Sequence, residues 1–193
     1  MTNIAVANLG HRRLHRGVFI ADAHDDENLE CINAHCWIIE PRLKKILVLK
    51  RSRQDGCYGG LFDISLAGHV DEGETPYEAI VREAREEGGI NIAKYICYKP
   101  KKIIFSEQAA YNNEPFIHNQ QAFVFIASLS LDKIQKIQPA DHKEVDSFKL
   151  LDFKYFKKAV LSRNRQFAPH PRAYFEEVIK NIESIFEAYE RTA

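Results

Sequence analysis

The sequence predicts a mixed α/β (α+β) protein in which helices cover a mixed β-sheet. Three observations predict it. Apolar, β-branched runs recur between turn signals, at Cys31–Ile39, Lys45–Lys50, Gln120–Ser130 and Val145–Leu150. Two segments, starting at Thr75 and Ala173, carry apolar residues at helical spacing. Strands and helices alternate without the regular spacing of βαβ units, which argues for a mixed sheet rather than a purely parallel one.

The elements follow in order. Residues 1–30 are polar, with a basic cluster (His11, Arg12, Arg13, His15, Arg16) and then an acidic one (Asp22, Asp25, Asp26, Glu27). They read as an N-terminal extension with one short strand at Val18–Ala21, its basic charge balanced by the acidic run. Pro41 and a basic turn separate the first two strands and make them a pair. Gly56, Gly59 and Gly60 punctuate the loop before an alternating strand at Leu61–Val70. Thr75–Gly88 is the clearest helix. Thr75 suits the N-cap, Pro76 the first helical position, and Glu78 closes a Thr-x-x-Glu capping box. Gly88 and Gly89 end it. Tyr77, Ile80, Val81 and Ala84 form its expected buried stripe. Strands follow at Ala93–Phe105, Gln120–Ser130 and Val145–Leu150, then a short helix over 152–161. Pro169 and Pro171 lead into a long amphipathic helix, Ala173–Tyr189. Its apolar side (Tyr174, Val178, Ile182, Ile185, Phe186, Tyr189) is expected to pack on its own domain.

Composition excludes several classes. The length of 193 residues suits one domain, or one domain with extensions. Lys+Arg and Asp+Glu number 27 each, and this balance argues against a dedicated nucleic-acid binder. No apolar run approaches the about 18–20 residues that span a bilayer. Met1–Gly10 lacks the character of a secretory signal, and neither end carries a lipidation motif. Cys31, Cys36, Cys57 and Cys97 show no C-x-x-C spacing, which argues against zinc and against a disulfide framework. Cys31, His35 and Cys36 could be read as metal ligands, but alternation along a strand in a reduced cytoplasm is the simpler reading. The cytoplasm is the expected compartment.

The chemistry is concentrated in GHVDEGETPYEAIVREAREEGGI, Gly68–Ile90. At about 100° per residue, Glu83, Glu86 and Glu87 share one helix face. Like charges at that spacing repel by roughly a few tenths of a kcal/mol per pair. The helix macrodipole also disfavours anions in its second half. A helix built for stability alone would not place three carboxylates there. A hard divalent cation reverses the sign of that cost, and oxygen-only ligands point to Mg²⁺ or Mn²⁺. The competing reading is a solvated acidic face compensated by Arg82 and Arg85.

Gly68, Glu74, Arg82, Glu83, Glu86, Glu87, Gly89 and Ile90 fall in the pattern G-x5-E-x7-R-E-U-x-E-E-x-G-U, where U is a bulky aliphatic. Ala84 fills one U position with a smaller apolar residue. This pattern is the Nudix box, and the chain resembles the Nudix hydrolases from Ile32 to about Phe156. The resemblance implies the Nudix fold, an α/β/α sandwich around a mixed β-sheet. The expected division is 1–30 as N-terminal extension, 31–160 as the hydrolase domain, and 161–193 as a C-terminal helical extension packed on that domain. The resemblance also implies that Glu83, Glu86 and Glu87, with the carbonyl of Gly68, hold Mg²⁺ or Mn²⁺. Arg82 would position a glutamate by a charge-assisted hydrogen bond. Glu74 would brace the loop and helix, and Gly89 belongs to the structural part of the motif. The implied reaction is attack of water on phosphorus in a diphosphate linked to some group X. Glu86 and Glu87 are candidate general bases, as is Glu144 in DHKEV before the last strand. Glu107 and Glu114 are weaker candidates.

ILVLKRSR, DISLAGHVDEGET and FAPHPRAYF resemble the Nudix branch related to type I isopentenyl-diphosphate isomerases. Those isomerases carry a reactive Cys at the position of Ala67, beside Gly68-His69. A methyl group moves no proton. The isomerases also degrade the box that this chain keeps whole, and Cys57 is too far away in sequence to stand in. The expected function is therefore metal-dependent cleavage of a pyrophosphate bond in a nucleoside or other diphosphate linked to X. The alternatives are an isomerase-like enzyme and a catalytically silent Nudix module that binds a nucleotide or RNA. His69 is a metal ligand in the isomerase relatives, so here it is a candidate for contact with diphosphate or metal. Lys50, Arg51 and Arg53 follow a strand, and Arg51 and Arg53 are the expected phosphate contacts. Trp37, Tyr58, Phe62 and Phe105 are expected in the core rather than on a substrate. A small-molecule diphosphate is the expected partner, nucleic acid and membrane are not, and a homodimer is left open.

Overall fold

One strand, β3 (Leu29–Glu40), organises the sheet in a computed structural model that describes residues 3–8, 14–19, 29–53, 57–111 and 114–192. Along one edge β3 pairs in parallel with β8 (Glu114–Ser128), from Cys31 opposite Gln120 to Ile39 opposite Ser128. Its other edge is shared in turn by β1 (Asn3–Asn8), β6 (Leu66–His69) and β4 (Lys45–Arg51), all antiparallel. β2 (Leu14–Phe19) pairs with β1, and β7 (Ile96–Tyr111) pairs with β8. β5 (Phe62–Asp63) and β9 (Val145–Asp152) pair with β4. A parallel pair among antiparallel ones makes the sheet mixed.

Helices cover both faces. α1 (Pro76–Gly88) sets Ala79, Ile80 and Ala84 against Ile32, Ala34, Cys36, Leu66 and Phe125. A short α2 (Leu131–Ile134) adds Ile134 to the same layer and is not legible as a helix from the sequence. On the opposite face α3 (Phe153–Leu161) and α4 (Arg172–Thr192) bury Phe156, Tyr174, Phe175, Val178 and Ile182 against Trp37, Val48, Val124 and Ile126. β3 thus sends Ile32, Ala34, Cys36 and Ile38 to α1, and Trp37 and Ile39 to α3 and α4, with the period of two that a strand imposes. Buried on both faces, it reads as an unbroken apolar run. No helix among the described residues is long and apolar enough to cross a membrane.

Several expectations are corrected. The N-terminal segment carries two strands, β1 and β2, rather than one at Val18–Ala21; β1 joins the main sheet by pairing with β3. Of the basic cluster, His15 and Arg16 fall in β2; His11, Arg12, Arg13 and the acidic run lie outside the described residues. The single strand expected over 61–70 is two, β5 and β6. Ser65 causes the break: its hydroxyl donates to the Leu47 carbonyl (2.6 Å) and accepts the Ile38 N–H (2.9 Å), a side chain standing where strand backbone would. In α1, Tyr77 is 47 % exposed and Val81 half-buried, while Ala79 and Gly88 face the sheet. The helix lies too close for large residues there. A Cβ on Gly88 would meet Ile137 at 3.2 Å and Leu66 at 3.3 Å.

Candidate active site

The acidic helix starts and stops where local chemistry dictates. Thr75 Oγ1 accepts the Glu78 N–H (3.2 Å), and Glu78 Oε2 accepts the Thr75 N–H (2.9 Å), which closes the capping box. Gly89 ends the helix at φ 62°, a left-handed conformation that glycine adopts without steric cost.

Arg82 is the hub of the turn–helix unit. Its Nε and Nη2 donate to the two Glu74 oxygens (3.1 and 3.0 Å), a bidentate grip. Nη2 also donates to the His69 carbonyl (2.9 Å), while Nη1 reaches Glu83 Oε1 (2.7 Å) and Glu86 Oε2 (2.9 Å). Glu74 in turn accepts the Asp71 N–H (3.1 Å). One guanidinium therefore ties α1 to the loop before it and to the end of β6.

The strand comes very close to the helix at Gly68. A Cβ there would lie 1.9 Å from Glu83 Oε1, so the glycine is required by close approach rather than by a turn. Glu87 Oε2 accepts the neighbouring Ala67 N–H (3.0 Å). Burial pushes Glu83 up to about 7 against the pull of Arg82, with repulsion from Glu86 and Glu144 added. Burial and the charge of Glu83 push Glu87 well above the usual carboxylate range. These carboxylates repel, are partly dehydrated, and flank a glycine whose missing side chain leaves their approach open. That donor set of hard oxygens suits a divalent cation of the Mg²⁺ or Mn²⁺ kind.

The other candidates distribute as follows. Glu144 is exposed in the turn just before β9, and its charge acts on both Glu83 and Glu87. Its carbonyl accepts the Ser52 N–H (2.9 Å) beside Arg51. Arg51 donates to Asp63 Oδ2 (3.1 Å), and its charge acts on Glu87. Lys50 pairs with Asp146 (3.0 Å). Arg53 is exposed, its stem over Gly60, and does not line the cavity that Arg51 and His69 share. Glu107 is engaged by Gln120 and His170, and the side chain of Glu114 lies outside what is described. Trp37 is core, whereas Tyr58 lines the cavity with its hydroxyl on the Gln108 carbonyl (3.1 Å).

That cavity, about 200 Å³, lies on the face of β6 opposite α1, since Ala67 and His69 alternate with Gly68. Cys57 lines it together with Ala67, although the two are distant in sequence. Cys31, His69 and His118 bring a thiol and two imidazoles within 4.8 Å of one another beside it.

Its far wall is a polar network that sequence reasoning misses. His170 Nε2 meets Asp63 Oδ1 at 2.7 Å, and its Nδ1 meets Glu107 Oε2 at 2.9 Å. Burial opposes a charge on this ring, but the two carboxylates raise it to about 10, so His170 is an imidazolium at neutral pH. Burial and the charge of His170 lower His35 to about 3, leaving it neutral. Trp37 Nε1 donates to the Tyr174 oxygen (3.1 Å), and that hydroxyl faces His35 Nδ1 at 3.0 Å. The sequence signal was the FAPHPRAYF segment itself, with a histidine between two prolines.

A family model described as NUDIX domain matches residues 30–171. Among curated proteins, the chain is 24 % identical over 136 residues to a protein named Nudix hydrolase 3 of Arabidopsis thaliana, covering 70 % of this chain and 17 % of that one. It is 28 % identical over 134 residues to an isopentenyl-diphosphate Delta-isomerase of Salmonella heidelberg, covering 69 % and 68 %. Among solved structures, a MutT protein from Methanosarcina mazei Go1 superposes with a TM-score of 0.55 at 19 % identity, over 79 % of this chain and 94 % of that one. The DR0079 protein of Deinococcus radiodurans superposes with a TM-score of 0.56 at 12 % identity, over 92 % and 98 %. At these identities the two structures speak to the fold alone.

Proposed function

The chain belongs to the NUDIX domain family, which typically hydrolyses nucleoside diphosphates linked to another group, and we propose that it is a cytoplasmic, Mg²⁺- or Mn²⁺-dependent hydrolase that cleaves a pyrophosphate bond in a small diphosphate linked to X. The observation that carries this reading is the whole box in one place: Glu83 and Glu87 raised in pKa, Glu86 beside them, and Gly68 cut back to hydrogen where a Cβ would strike Glu83.

Glu83, Glu86 and Glu87, with the Gly68 carbonyl, would hold the cation. When bound, such a cation lowers the pKa of water and offsets charge on the diphosphate. The protein's own part is positional and acid–base. Arg82 fixes Glu83 and Glu86 in place. Arg51 would take a diphosphate oxygen at the cavity side of β6. Glu144, whose charge reaches both glutamates, is the candidate to accept the proton of the attacking water. Water oxygen bonds to phosphorus, the anhydride P–O bond breaks, and the leaving oxygen departs with the rest of the substrate.

His69, a metal ligand in the isomerase relatives, stands here with Cys31 and His118. A metal held by those three would be of the softer, zinc-like kind and separate from a cation at the glutamates.

A second reading, isomerisation of isopentenyl diphosphate, draws on the 28 % identity to the Salmonella isomerase and on Cys57 in the cavity. Against it stand Ala67 and the complete box. A screen of nucleoside and isoprenyl diphosphates with Mg²⁺ and Mn²⁺ separates the two. Released phosphate or monophosphate supports hydrolysis. An allylic isomer without release, lost in Cys57→Ala, supports isomerisation.

A further inference from the structure

The C-terminal segment reaches into the cavity wall from outside the Nudix box. Phe62 N–H donates to the Gln166 carbonyl (2.8 Å), and Ala168 N–H donates to the Phe62 carbonyl (2.8 Å), so residues 166–168 add a short parallel rung to β5. Pro169 and Pro171 then fix the backbone on either side of His170. The imidazole lands between Asp63 on β5 and Glu107 on β7, with its side chain only 7 % exposed. Each ring nitrogen faces a carboxylate, so both must carry protons to be satisfied.

We propose that His170 is a positioning residue for diphosphate binding: held by Asp63 and Glu107, it fixes Asp63 so that Arg51 is presented to the cavity. The proposal rests on the reading of Arg51 as a diphosphate contact.

The geometry gives the reason. Asp63 is held on three sides. Its Oδ1 accepts from the Ile64 N–H (2.8 Å) and from His170 (2.7 Å), and its Oδ2 accepts from one Arg51 nitrogen (3.1 Å). With Oδ1 occupied, Asp63 can grip Arg51 through Oδ2 alone. Remove His170, and the carboxylate can turn into a two-pronged grip that draws the guanidinium from the cavity toward β5. Removal also leaves Asp63 and Glu107 as buried negative charges facing an anionic substrate, without the imidazolium that lay between them. The other titratable groups around the ring are His35 on β3, Tyr58 on the loop, and Tyr174 on α4. Trp37, Phe105 and Phe175 enclose the same region, so His170 has little room to leave it.

The test is a double-mutant cycle on binding of inorganic pyrophosphate, read by calorimetry with Mg²⁺ present. Arg51→Gln is expected to weaken binding about ten- to hundredfold, the range of a lost charge-assisted bond. His170→Asn and Asp63→Asn should each weaken it about tenfold, and His170→Asn added to Arg51→Gln should cost less than about twofold more. In turnover, His170→Asn should raise KM and leave kcat within about threefold, the mark of lost uniform binding. On the unsubstituted protein, nitrogen-detected NMR should find both His170 ring nitrogens protonated at about pH 8.

The proposal is overturned by effects of His170→Asn and Arg51→Gln that multiply, by wild-type binding in Asp63→Asn, by no pyrophosphate binding in the wild type, or by a bare ring nitrogen on His170. Because the cycle needs no turnover, an inactive protein that shows the coupling sinks the hydrolase reading and keeps His170 as the positioning residue. An active protein without the coupling does the reverse.

Discussion

Gly68→Ala puts the closest contact in the site under direct test. The added methyl would lie 1.9 Å from Glu83 Oε1, 2.1 Å from Cδ and 2.7 Å from Cγ. Gly68 is not among the residues with positive φ, so the backbone tolerates alanine and the cost is contact alone. All three clashing atoms belong to Glu83. To regain a normal separation of about 3.5 Å, its carboxylate must retreat by roughly 1.5 Å. That breaks the 2.7 Å bond to Arg82 and moves an oxygen proposed to hold the cation. The fold should lose about 1–3 kcal/mol, the usual cost of overpacking. Activity should lose more: a misplacement of about 1 Å at a reacting centre costs on the order of a hundredfold. Thermal unfolding and kcat/KM on the best substrate with Mg²⁺ measure the two. Adding Glu83→Ala should restore stability and leave activity low, because the clash goes while the ligand stays lost. Gly68→Ala with kcat/KM within about threefold of wild type would refute the reasoning.

Three further outcomes are expected. Glu144→Gln should lower kcat by about 10²–10⁴-fold with little change in KM, as for a lost general base; a fall below about threefold in steady-state assays places the base elsewhere. Arg82→Lys should cost about 1.5–3 kcal/mol in urea unfolding, because an ammonium cannot reproduce the two-pronged grip on Glu74 together with the bonds to Glu83, Glu86 and His69. The two buried histidines tilt stability with pH in opposite senses. His170, raised from 6.5 to about 10, contributes stability that is whole below pH 6.5 and fades as pH rises toward 10. His35, lowered from 6.5 to about 3, contributes stability that is whole above 6.5 and fades as pH falls toward 3. Melting temperatures should fall from about pH 7 toward pH 10, and His170→Asn should flatten that fall; below neutrality the slope of His35 is opposed by Glu83, raised from 4.5 to about 7, whose contribution is lost as pH rises toward 7.

The box was legible because its chemistry is local. Thr75, Glu78, Arg82 and the three glutamates lie within one helix and its cap, so spacing alone puts them on shared faces, and the close approach at Gly68 agrees with the glycine the pattern demands. The buried stripe was less legible. Periodicity favours large apolar residues such as Tyr77, whereas a helix lying close to a sheet selects Ala79, Ala84 and Gly88. The His170 network was not legible, since its partners sit 107 and 63 residues away in sequence and no local pattern links them. The same holds for Cys31, His69 and His118: an argument from C-x-x-C spacing cannot see ligands that three separate strands bring together. Sequence distance separates Cys57 from Ala67, yet the loop before β5 returns it to the same cavity.

In the proposed reaction this chain uses its glutamate cluster and a divalent cation to add water across a pyrophosphate bond. Turnover in ¹⁸O-labelled water, followed by phosphorus NMR, tests it most directly. One labelled oxygen is expected in a phosphate-bearing product, formed only with Mg²⁺ or Mn²⁺ and abolished in both Glu86→Gln and Glu87→Gln. Product formation that continues in both variants, or across the diphosphate panel no labelled product at all, would contradict it.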